Sequence, residues 1–413
     1  MPATNPLTIV IAGGGLAGLS LALALKRSLG EALEVVMCDP ALKRDPRGDR
    51  RAYAIAAAAR RMLQALGVWD EVGARAQPIT DMVITDSRLH DPVRPVFLTF
   101  ANDASAGEPF AHMVEGGDLT GAIVEACAAA GVTLKPAGVK GFKTGSEAIR
   151  VEIEGGELLS AALLVAADGA RSRLREQAGI SWIHWPYDQS GIVATVTHER
   201  DHEGRAVEHF LPSGPFAILP LTPGGALGHR SSIVWTERRD AVPHLLALSE
   251  ADFLEELERR FGLQLGRIAI ETKPQAFPLS FGVARSFVAD RLALLGDAAH
   301  VIHPIAGQGL NVGFHDAAAL AEIVADAVRL GLDPGGADVL GGYERARRVD
   351  VTAMGAVTDG LNRLFSNDLL PVRLIRDLGL GLVDRLPAAK RFFMREAAGA
   401  GRDGPRLLRG EAL

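Results

Sequence analysis

Three glycines near the N-terminus have the spacing of a phosphate-binding turn. Gly13, Gly15 and Gly18 follow a short apolar run at residues 7–12 and open a helical segment that continues to Leu29. In this context the first glycine permits a tight turn, the second lets the backbone approach a pyrophosphate, and the third lets helix and strand pack closely. The N–H groups and the dipole of the helix would then face two phosphates. The pattern predicts a dinucleotide site, but by itself it does not separate FAD from NAD.

Three aspartates stand just beyond predicted strands and could bind the hydroxyl groups of such a ligand. Asp39 lies 21 residues after Gly18, where it can accept a hydrogen bond from the adenosine ribose. Asp168 and Asp297 follow two further buried strands, in an Asp-Gly and a Gly-Asp pair. A dehydrogenase needs only the first of these motifs. Motifs that extend from residue 13 to residue 297 favour one long ligand, and extended FAD fits them better than NAD.

The elements that must position these residues predict an α/β fold. Continuous apolar runs, typical of parallel strands buried on both faces, occur at residues 7–12, 33–38, 163–167 and 292–295. Alternating patterns with turn-forming prolines and glycines, typical of antiparallel strands, occur at 82–100 and 182–235. Helical spacing occurs at 53–66, 118–131 and 308–330. We predict a Rossmann-like FAD-binding domain interrupted by a mostly antiparallel β substrate domain, with a helical C-terminal part.

These patterns set the predicted domain boundaries. The discontinuous FAD-binding domain comprises residues 1–80, 113–180 and 286–342, and the substrate-binding β domain comprises 81–112 and 181–285. The C-terminal helical region, 343–413, holds 13 Lys and Arg against 9 Asp and Glu, with apolar side chains beside its arginines. Three interpretations of that region stay open: contact with a membrane surface, packing against the FAD domain, and self-association into a homo-oligomer.

The composition excludes several classes of function. The formal net charge is −6 and aromatic residues make up 5% of the chain, so nothing indicates a nucleic-acid-binding surface. The N-terminal residues lack the features of a secretion signal, and no run of about 18 apolar residues predicts a membrane span. Cys38 and Cys127 lie far apart and are expected to be buried, reduced thiols. We expect a cytoplasmic protein.

One apparent metal motif is set aside. The run from His198 to His202 matches the HExxH pattern of zinc proteases, which requires both histidines on one face of a helix. The preceding residues alternate as in a strand and Gly204 follows at once, so we predict a charged hairpin turn. His300 and His303 are spaced three apart but lie in a glycine-rich segment. We expect no metal site.

Longer motifs resemble the FAD-dependent aromatic-ring hydroxylases of the para-hydroxybenzoate hydroxylase class, over essentially the whole chain. The run from His303 to Asp316, HPIAGQGLNVGFHD, resembles the signature of the ubiquinone-biosynthesis hydroxylases within that class. Residues 49–55, DRRAYAI, resemble a second segment of that family, with Ile55 in place of leucine. Residues 210–220 are similar to its substrate-domain strand and turn. Gly116 departs from the pattern, because the family often has a polar residue there.

The resemblance implies a role for each matched residue. The pyrophosphate would be held by Gly13, Gly15, Leu16, Ala17 and Gly18, the adenosine ribose by Asp39, and the ribityl hydroxyls by Asp297. Arg51 would lie along the cofactor, while Asp168 is either a direct contact or a structural turn residue. The helix start at Gly307, Gln308, Gly309, Leu310 and Asn311 would face flavin N1 and the C2 carbonyl, where reduced flavin is negative. His303 and Pro304 would form the active-site wall, and Phe210, Phe216 and Pro220 would contact substrate. No catalytic residue is assigned.

The resemblance also implies a reaction. NAD(P)H or another reductant would reduce FAD, O₂ would give a flavin C4a-hydroperoxide, and a phenolic ring would take up the distal oxygen. The implied substrate is a polyprenylated phenol intermediate of ubiquinone biosynthesis, which would bring the protein to the periphery of the inner membrane or into a biosynthetic complex. Three alternatives stay open: hydroxylation of a small soluble aromatic, a flavin-binding accessory subunit without hydroxylase activity, and a simple NAD dehydrogenase.

Overall fold

The computed structural model describes residues 7–87, 89, 94, 96–101, 108–366 and 404–413. The strands are β1 (Leu7–Ala12), β2 (Leu33–Cys38), β3 (Ala52–Ala56), β4 (Gln77–Ile79), β5 (Asp81–Asp86), β6 (Val96–Ala101), β7 (Ala111–Glu115), β8 (Thr133–Lys135), β9 (Val139–Thr144), β10 (Ile149–Ile153), β11 (Leu158–Ala161), β12 (Leu163–Ala166), β13 (Trp182–His198), β14 (Arg205–Leu211), β15 (Gly214–Leu221), β16 (His229–Arg238), β17 (Ile268–Ile270), β18 (Gln275–Ala284), β19 (Val288–Ala289), β20 (Leu292–Leu294) and β21 (His300–Val301). The helices are α1 (Leu16–Leu29), α2 (Ala57–Ala65), α3 (Trp69–Val72), α4 (Gly116–Ala130), α5 (Arg173–Gln177), α6 (Val242–Leu246), α7 (Glu250–Phe261), α8 (Gln308–Arg329) and α9 (Ala337–Phe365).

A six-stranded sheet positions the predicted cofactor residues. Its strand order is β19-β20-β12-β1-β2-β8, and every pair is parallel except β19 with β20. The last four residues of β1 are buried in an apolar cluster to which α1, α4, α8 and β10 all contribute side chains. Since parallel strands end at one edge, Ala12, Cys38, Ala166 and Leu294 bring the motifs that follow them to the same edge. The predicted Rossmann-like arrangement is confirmed.

The second large sheet is mostly antiparallel, as predicted. Its order is β21-β18-β13-β16-β15-β14-β5-β6, with β17 paired to β13, and only β14 with β5 is parallel. One face is covered by α7, whose Phe253, Leu257 and Phe261 pack on Trp235 and Phe216. We call this sheet the large sheet and that face its α7 face. Two three-stranded sheets complete the fold, β11-β10-β9 and β3-β7-β4.

The helical prediction for residues 53–66 is wrong over its first part. Residues 52–56 form β3, which pairs antiparallel with β7, and the helix begins only at Ala57. The alanine-rich sequence has helical propensity, but cross-strand pairing and a side-chain hydrogen bond from another part of the chain hold it extended. Tertiary contacts override local propensity here.

The predicted domain boundaries are crossed by some of these elements. The large sheet takes β21 from the segment assigned to the FAD-binding domain, and position 343 falls within α9. The limits of the domains themselves stay a prediction. The apolar side chains of the predicted C-terminal helical region between Leu369 and Met394 lie outside the described residues. Within the described part of the chain, no helix is both long and apolar enough to cross a bilayer.

Candidate active site

The glycine turn between β1 and α1 is held by close backbone contacts. Gly13 has φ +119°, and a Cβ added there would lie 2.1 Å from the carbonyl oxygen of Ala167. A Cβ on Gly18 would lie 2.2 Å from the carbonyl oxygen of Gly13. A Cβ on Gly15, by contrast, would meet no protein atom within 4 Å. The fold itself therefore requires glycine at positions 13 and 18, while the space beside Gly15 is open to a ligand.

Asp39 is tied to this turn by hydrogen bonds. One carboxylate oxygen accepts a bond of 2.6 Å from the N–H of Gly14, and the other accepts a bond of 2.6 Å from the N–H of Ala41. Each carboxylate oxygen has a further lone pair, so the half-buried side chain can also accept from a ribose hydroxyl. The structure thus places Asp39, the residue predicted to bind the ribose, next to the turn predicted to hold the pyrophosphate.

The Gly-Asp turn after β20 meets the start of α1. A Cβ on Gly296 would lie 3.8 Å from the Cβ of Ala17, and a Cβ on Gly313 would lie 3.3 Å from that same atom. Asp297 follows with a solvent-exposed side chain, although protein surrounds it closely enough that desolvation raises its pKa. These two properties describe a carboxylate inside an open cleft. The first turn of α1, Asp297 and the first part of α8 are therefore neighbours.

A buried ionic network centred on Asp316 holds these neighbouring segments together. Asp316 of α8 has no exposed surface, and its carboxylate accepts hydrogen bonds from the N–H of Gly296, from Nε2 of His300 and from Nε of Arg347. Burial acts to raise the pKa of Asp316, but the charges and hydrogen bonds of His300 and Arg347 outweigh it and lower that pKa to about 2. The carboxylate thus links α8, the Gly-Asp turn, β21 and α9. The sequence motif ended at Asp316 but gave no indication of this role.

Arg175 connects the Asp-Gly turn after β12 to the Gly-Asp turn after β20, a role that the sequence did not predict. Its guanidinium donates to the carbonyl oxygens of Ala298 at 2.9 Å and Ala170 at 3.0 Å, and it stacks 3.9 Å from the ring centre of Trp182. Asp168 is exposed and accepts from the N–H of Leu174 at 3.4 Å. This bond supports a turn-stabilising role for Asp168 and leaves its other oxygen available, so both predicted roles remain open.

The N-terminal end of α8 also lies at this cleft. Gly307 has φ +65°, and no side chain caps the helix, so its positive end is available to a ligand. Asn311 is buried, and its amide joins α8 to β3: Oδ1 accepts from the N–H of Ala56 at 2.9 Å and Nδ2 donates to the carbonyl oxygens of Ala54 and Gly307. The side chain predicted to contact flavin is therefore used to position the helix start.

Replacing Asn311 should separate these elements. We expect Asn311→Ala to lower the free energy of unfolding by about 2 kcal/mol, because the buried N–H of Ala56 and C=O of Ala54 lose their partners. FAD content should fall as well, since the start of α8 is no longer fixed. Chemical denaturation and flavin absorbance would measure the two effects. Unchanged stability would contradict the positioning role.

The predicted wall residues differ in character. His303 is fully buried, neither ring nitrogen has a hydrogen-bond partner within the described chain, and its ring meets that of Tyr187 edge-on at 5.2 Å. Burial lowers the pKa of His303 to about 4, so the imidazole is neutral near pH 7. Pro304 is half-buried and precedes the short 3-10 helix Ile305–Gly307. Their placement before α8 fits the prediction of a wall, which stays a prediction.

Arg51 lies at the exposed edge of the same region. It pairs in bidentate fashion with Asp49 at 2.9 and 2.8 Å, and its guanidinium stands over the ring of Tyr53. A Cβ on Gly116 would lie 2.8 Å from both the Asp49 carboxylate and the Tyr53 ring. Glycine at position 116, where the family often has a polar residue, thus leaves room for the side chains of Asp49 and Tyr53.

The three predicted substrate residues do not lie together. Phe216 is fully buried on the α7 face of the large sheet, against Trp235. Pro220 has the same strand parity as Phe216 and so lies on that face, whereas Phe210 points to the opposite one. The structure therefore gives no support to substrate contacts by Phe216 or Pro220, because a sheet separates them from Phe210.

The HExxH segment is a turn but not a hairpin. His198 ends β13 and Arg205 begins β14, yet these strands are separated in the sheet by β16 and β15. His198 and His202 use their ring nitrogens in hydrogen bonds to Arg200, Ser231 and Leu221. No group of three His, Cys, Asp or Glu side chains in the described ranges could hold a metal ion. Cys38 and Cys127 are buried and unbridged, as predicted.

Taken together, these residues fit FAD. The space beside Gly15 is open, as the approach of a pyrophosphate requires, and the same is true of Gly309 at the helix start. Asp39 and Asp297 follow β2 and β20, which lie on either side of β1 in the sheet. The fold and site define an FAD-binding protein.

Comparison with known proteins gives the family. The model of the FAD binding domain family matches residues 7–356. The chain is 45% identical to a ubiquinone hydroxylase of Rhodospirillum rubrum over 100% of this chain and 96% of that protein. It is 34% identical to the 3-demethoxyubiquinol 3-hydroxylase of Escherichia coli over 96% and 99% of the two chains. The p-nitrophenol 4-monooxygenase of Pseudomonas putida has the same fold, with a TM-score of 0.76 at 21% identity over 96% and 98%.

The chain belongs to the FAD-dependent ubiquinone hydroxylase family. It is an FAD-dependent aromatic-ring monooxygenase, as the resemblance implied.

Proposed function

We propose that this enzyme hydroxylates the ring of a polyprenylated phenol intermediate of ubiquinone biosynthesis. The observation that carries the proposal is the 45% identity to a named ubiquinone hydroxylase along the full length of both chains. Ile302 and Ile305, which flank His303 and Pro304 in the chain, are apolar and buried, and this character suits a ring that bears an alkyl tail. The simple dehydrogenase alternative does not account for the family.

Each part of the site would contact a different part of FAD or of the reacting ring. The turn at Gly13, Gly15, Leu16, Ala17 and Gly18 would hold the pyrophosphate of FAD, with Asp39 on the adenosine ribose and Asp297 on the ribityl chain. The positive end of α8, from Gly307 to Asn311, would lie beside the ring system and favour negative charge there. His303 and Pro304 would exclude water from the reacting face. FAD, when bound, supplies the oxygen-activating chemistry, with O₂ as co-substrate and NAD(P)H or another reductant as electron donor.

The proposed substrate can be tested in cells and with purified enzyme. A strain that lacks its ubiquinone ring hydroxylase would be complemented with this chain, and mass spectrometry would identify the quinone precursors. We expect the accumulated precursor to disappear and ubiquinone to return. Persistent accumulation, together with turnover of a small soluble phenol by the purified protein, would favour the soluble-aromatic alternative. A protein that binds FAD but consumes no O₂ with any phenol would favour the accessory-subunit alternative.

A polyprenyl tail partitions into lipid, so we propose that a cytoplasmic enzyme collects its substrate at the surface of the inner membrane. The basic C-terminal region is the proposed contact, and residues 367–403 of it lie outside the described chain. Contacts with a biosynthetic complex and self-association stay predictions.

A further inference from the structure

Glu208 is a buried acid for which the described chain provides no partner. The residue lies in β14 and is 6% exposed. Among the described residues, no hydrogen-bond donor or cation acts on its carboxyl group, and burial raises its pKa to about 7. An unpaired carboxylate in such a place is costly to the folded state, so its presence needs a functional reason.

The pleat of β14 directs Glu208 away from α7. Its neighbours Val207 and His209 lie on the α7 face, so Glu208 shares the opposite face with Ala206 and Phe210. We call this the active-site face. Ala206 packs there with Leu219 and Ala54.

Ala54 connects this face to the predicted flavin site. Its carbonyl oxygen accepts a hydrogen bond from Asn311, and a Cβ on Gly307 would lie 3.2 Å from the Cβ of Ala54. The active-site face therefore lies toward the N-terminal end of α8. The carboxyl group of Glu208 is on the side of the sheet where the flavin ring and the substrate would meet.

The side chains level with Glu208 are apolar. By strand register they are Ile84 on one side and Ala217 on the other, followed by Val234. The titratable group on the same face of β5 is Asp86, which is buried and lies level with Phe210. Ala217 is small and offers the carboxyl group no polar partner. Glu237, a buried glutamate on the α7 face of the same sheet, is instead paired with Arg260 at 3.2 Å. The charge of Glu237 is thus neutralised by Arg260, whereas Glu208 has no such partner among the described residues.

We propose that Glu208 is a catalytic residue that accepts the hydrogen bond, and then the proton, of the substrate's phenolic hydroxyl. This inference rests on the proposed function. The phenolic O–H bond breaks and a carboxyl O–H bond forms, which leaves the ring electron-rich as it takes up oxygen. The ring carbon gains one atom of O₂, while the other atom is reduced to water with the two electrons that the reductant supplies through FAD. The ring carbon then loses its hydrogen as a proton, which ends in that water, and Glu208 returns its own proton to the phenolate. The product leaves as a neutral diphenol.

Glu208→Gln keeps the shape of the side chain but cannot accept the proton. The holoenzyme and 2-farnesylphenol are the components of the test. For the wild type we expect kcat/KM to rise with pH up to about 7 and to level above it, because Glu208 must be ionised to act. The variant should lose this rise and fall about 100-fold in kcat/KM at pH 8. Calorimetric titration should show that its affinity for the phenol no longer depends on pH.

Thermal stability and a control variant separate this role from a structural one. Glu208→Gln should melt no lower than the wild type at pH 8, since it removes an unpaired buried charge. Glu237→Gln should melt lower, because Arg260 loses a partner, but should keep the wild-type pH profile. A Glu208→Gln variant with wild-type rate and pH profile would overturn the inference alone. A wild-type enzyme that neither binds nor hydroxylates the phenol would overturn the proposed function and the inference together.

Discussion

Gly13→Ala is expected to prevent stable folding, with a loss of about 4 kcal/mol or more in the free energy of unfolding. The alanine Cβ would lie 2.1 Å from the Ala167 carbonyl oxygen, and φ +119° is strained for any L side chain. Neither problem can be relieved by a side-chain movement, because the obstacle is the backbone at the end of β12. Denaturation of the purified protein, or its recovery in inclusion bodies, would measure the effect.

Gly15→Ala is the matched control within the same turn. Gly15 has φ −69° and ψ 168°, which any residue adopts, and its added Cβ would meet nothing. The stability of the FAD-free protein should change by less than about 1 kcal/mol. The affinity for FAD should fall at least about tenfold, because the methyl group occupies the space where the backbone must approach the pyrophosphate. Unchanged FAD affinity would mean that the pyrophosphate does not lie at this turn.

Asp316→Asn is expected to lower the free energy of unfolding by about 3–5 kcal/mol. The substitution leaves the buried guanidinium of Arg347 and the imidazole of His300 without the charge that both bind. It also loosens the Gly-Asp turn that presents Asp297, so FAD should be released at lower denaturant concentrations than from the wild type. Equilibrium unfolding followed by both circular dichroism and flavin fluorescence would measure the two effects.

Asp350→Asn tests whether burial makes the difference. Asp350 pairs with the same guanidinium at 2.9 Å, but its side chain is 65% exposed. We expect a change below about 1 kcal/mol, because solvent screens exposed ion pairs. Equal losses for the two variants would contradict the assignment of Asp316 as the central charge.

The pH dependence of this network has a defined sign. The pKa of Asp316 in the folded state is lowered from 3.8 to about 2. Its contribution is therefore fully present above pH 4 and is lost as the pH falls from 4 toward 2. In Asp316→Asn this part of the acid-induced loss of stability should be absent.

Local sequence determined the parts of the site whose chemistry is set by neighbouring residues. The glycine spacing, Asp39 and the Gly-Asp turn each follow from one strand and the turn after it, so residue type and spacing were sufficient to predict a dinucleotide site. The segment from His303 to Asp316 identified the hydroxylase family because it is long and specific. The α/β pattern predicted four strands of the parallel sheet, and their order came from the structure.

Only the tertiary structure decided which side chains meet. Phe210 and Phe216 are both even-numbered, and simple alternation would place them on one face. The two-residue turn at Pro212 and Ser213 pairs Leu211 with Gly214, which reverses the parity and puts the two phenylalanines on opposite faces. Glu208 and its neighbour His209 also point to opposite faces, because successive side chains of one strand alternate.

The roles of Asp316, Arg175 and Asn311 could not be predicted from the sequence either. Each makes its decisive contacts with residues far away in the chain, such as Arg347, Ala298 and Ala56. Hydrogen bonds of this kind depend on how sheets and helices are brought together, which residue spacing does not record. The sequence by itself determined that FAD binds and what reaction it supports. The tertiary structure decided how its binding motifs are held together, and it left the buried carboxyl group of Glu208 without a partner among the described residues.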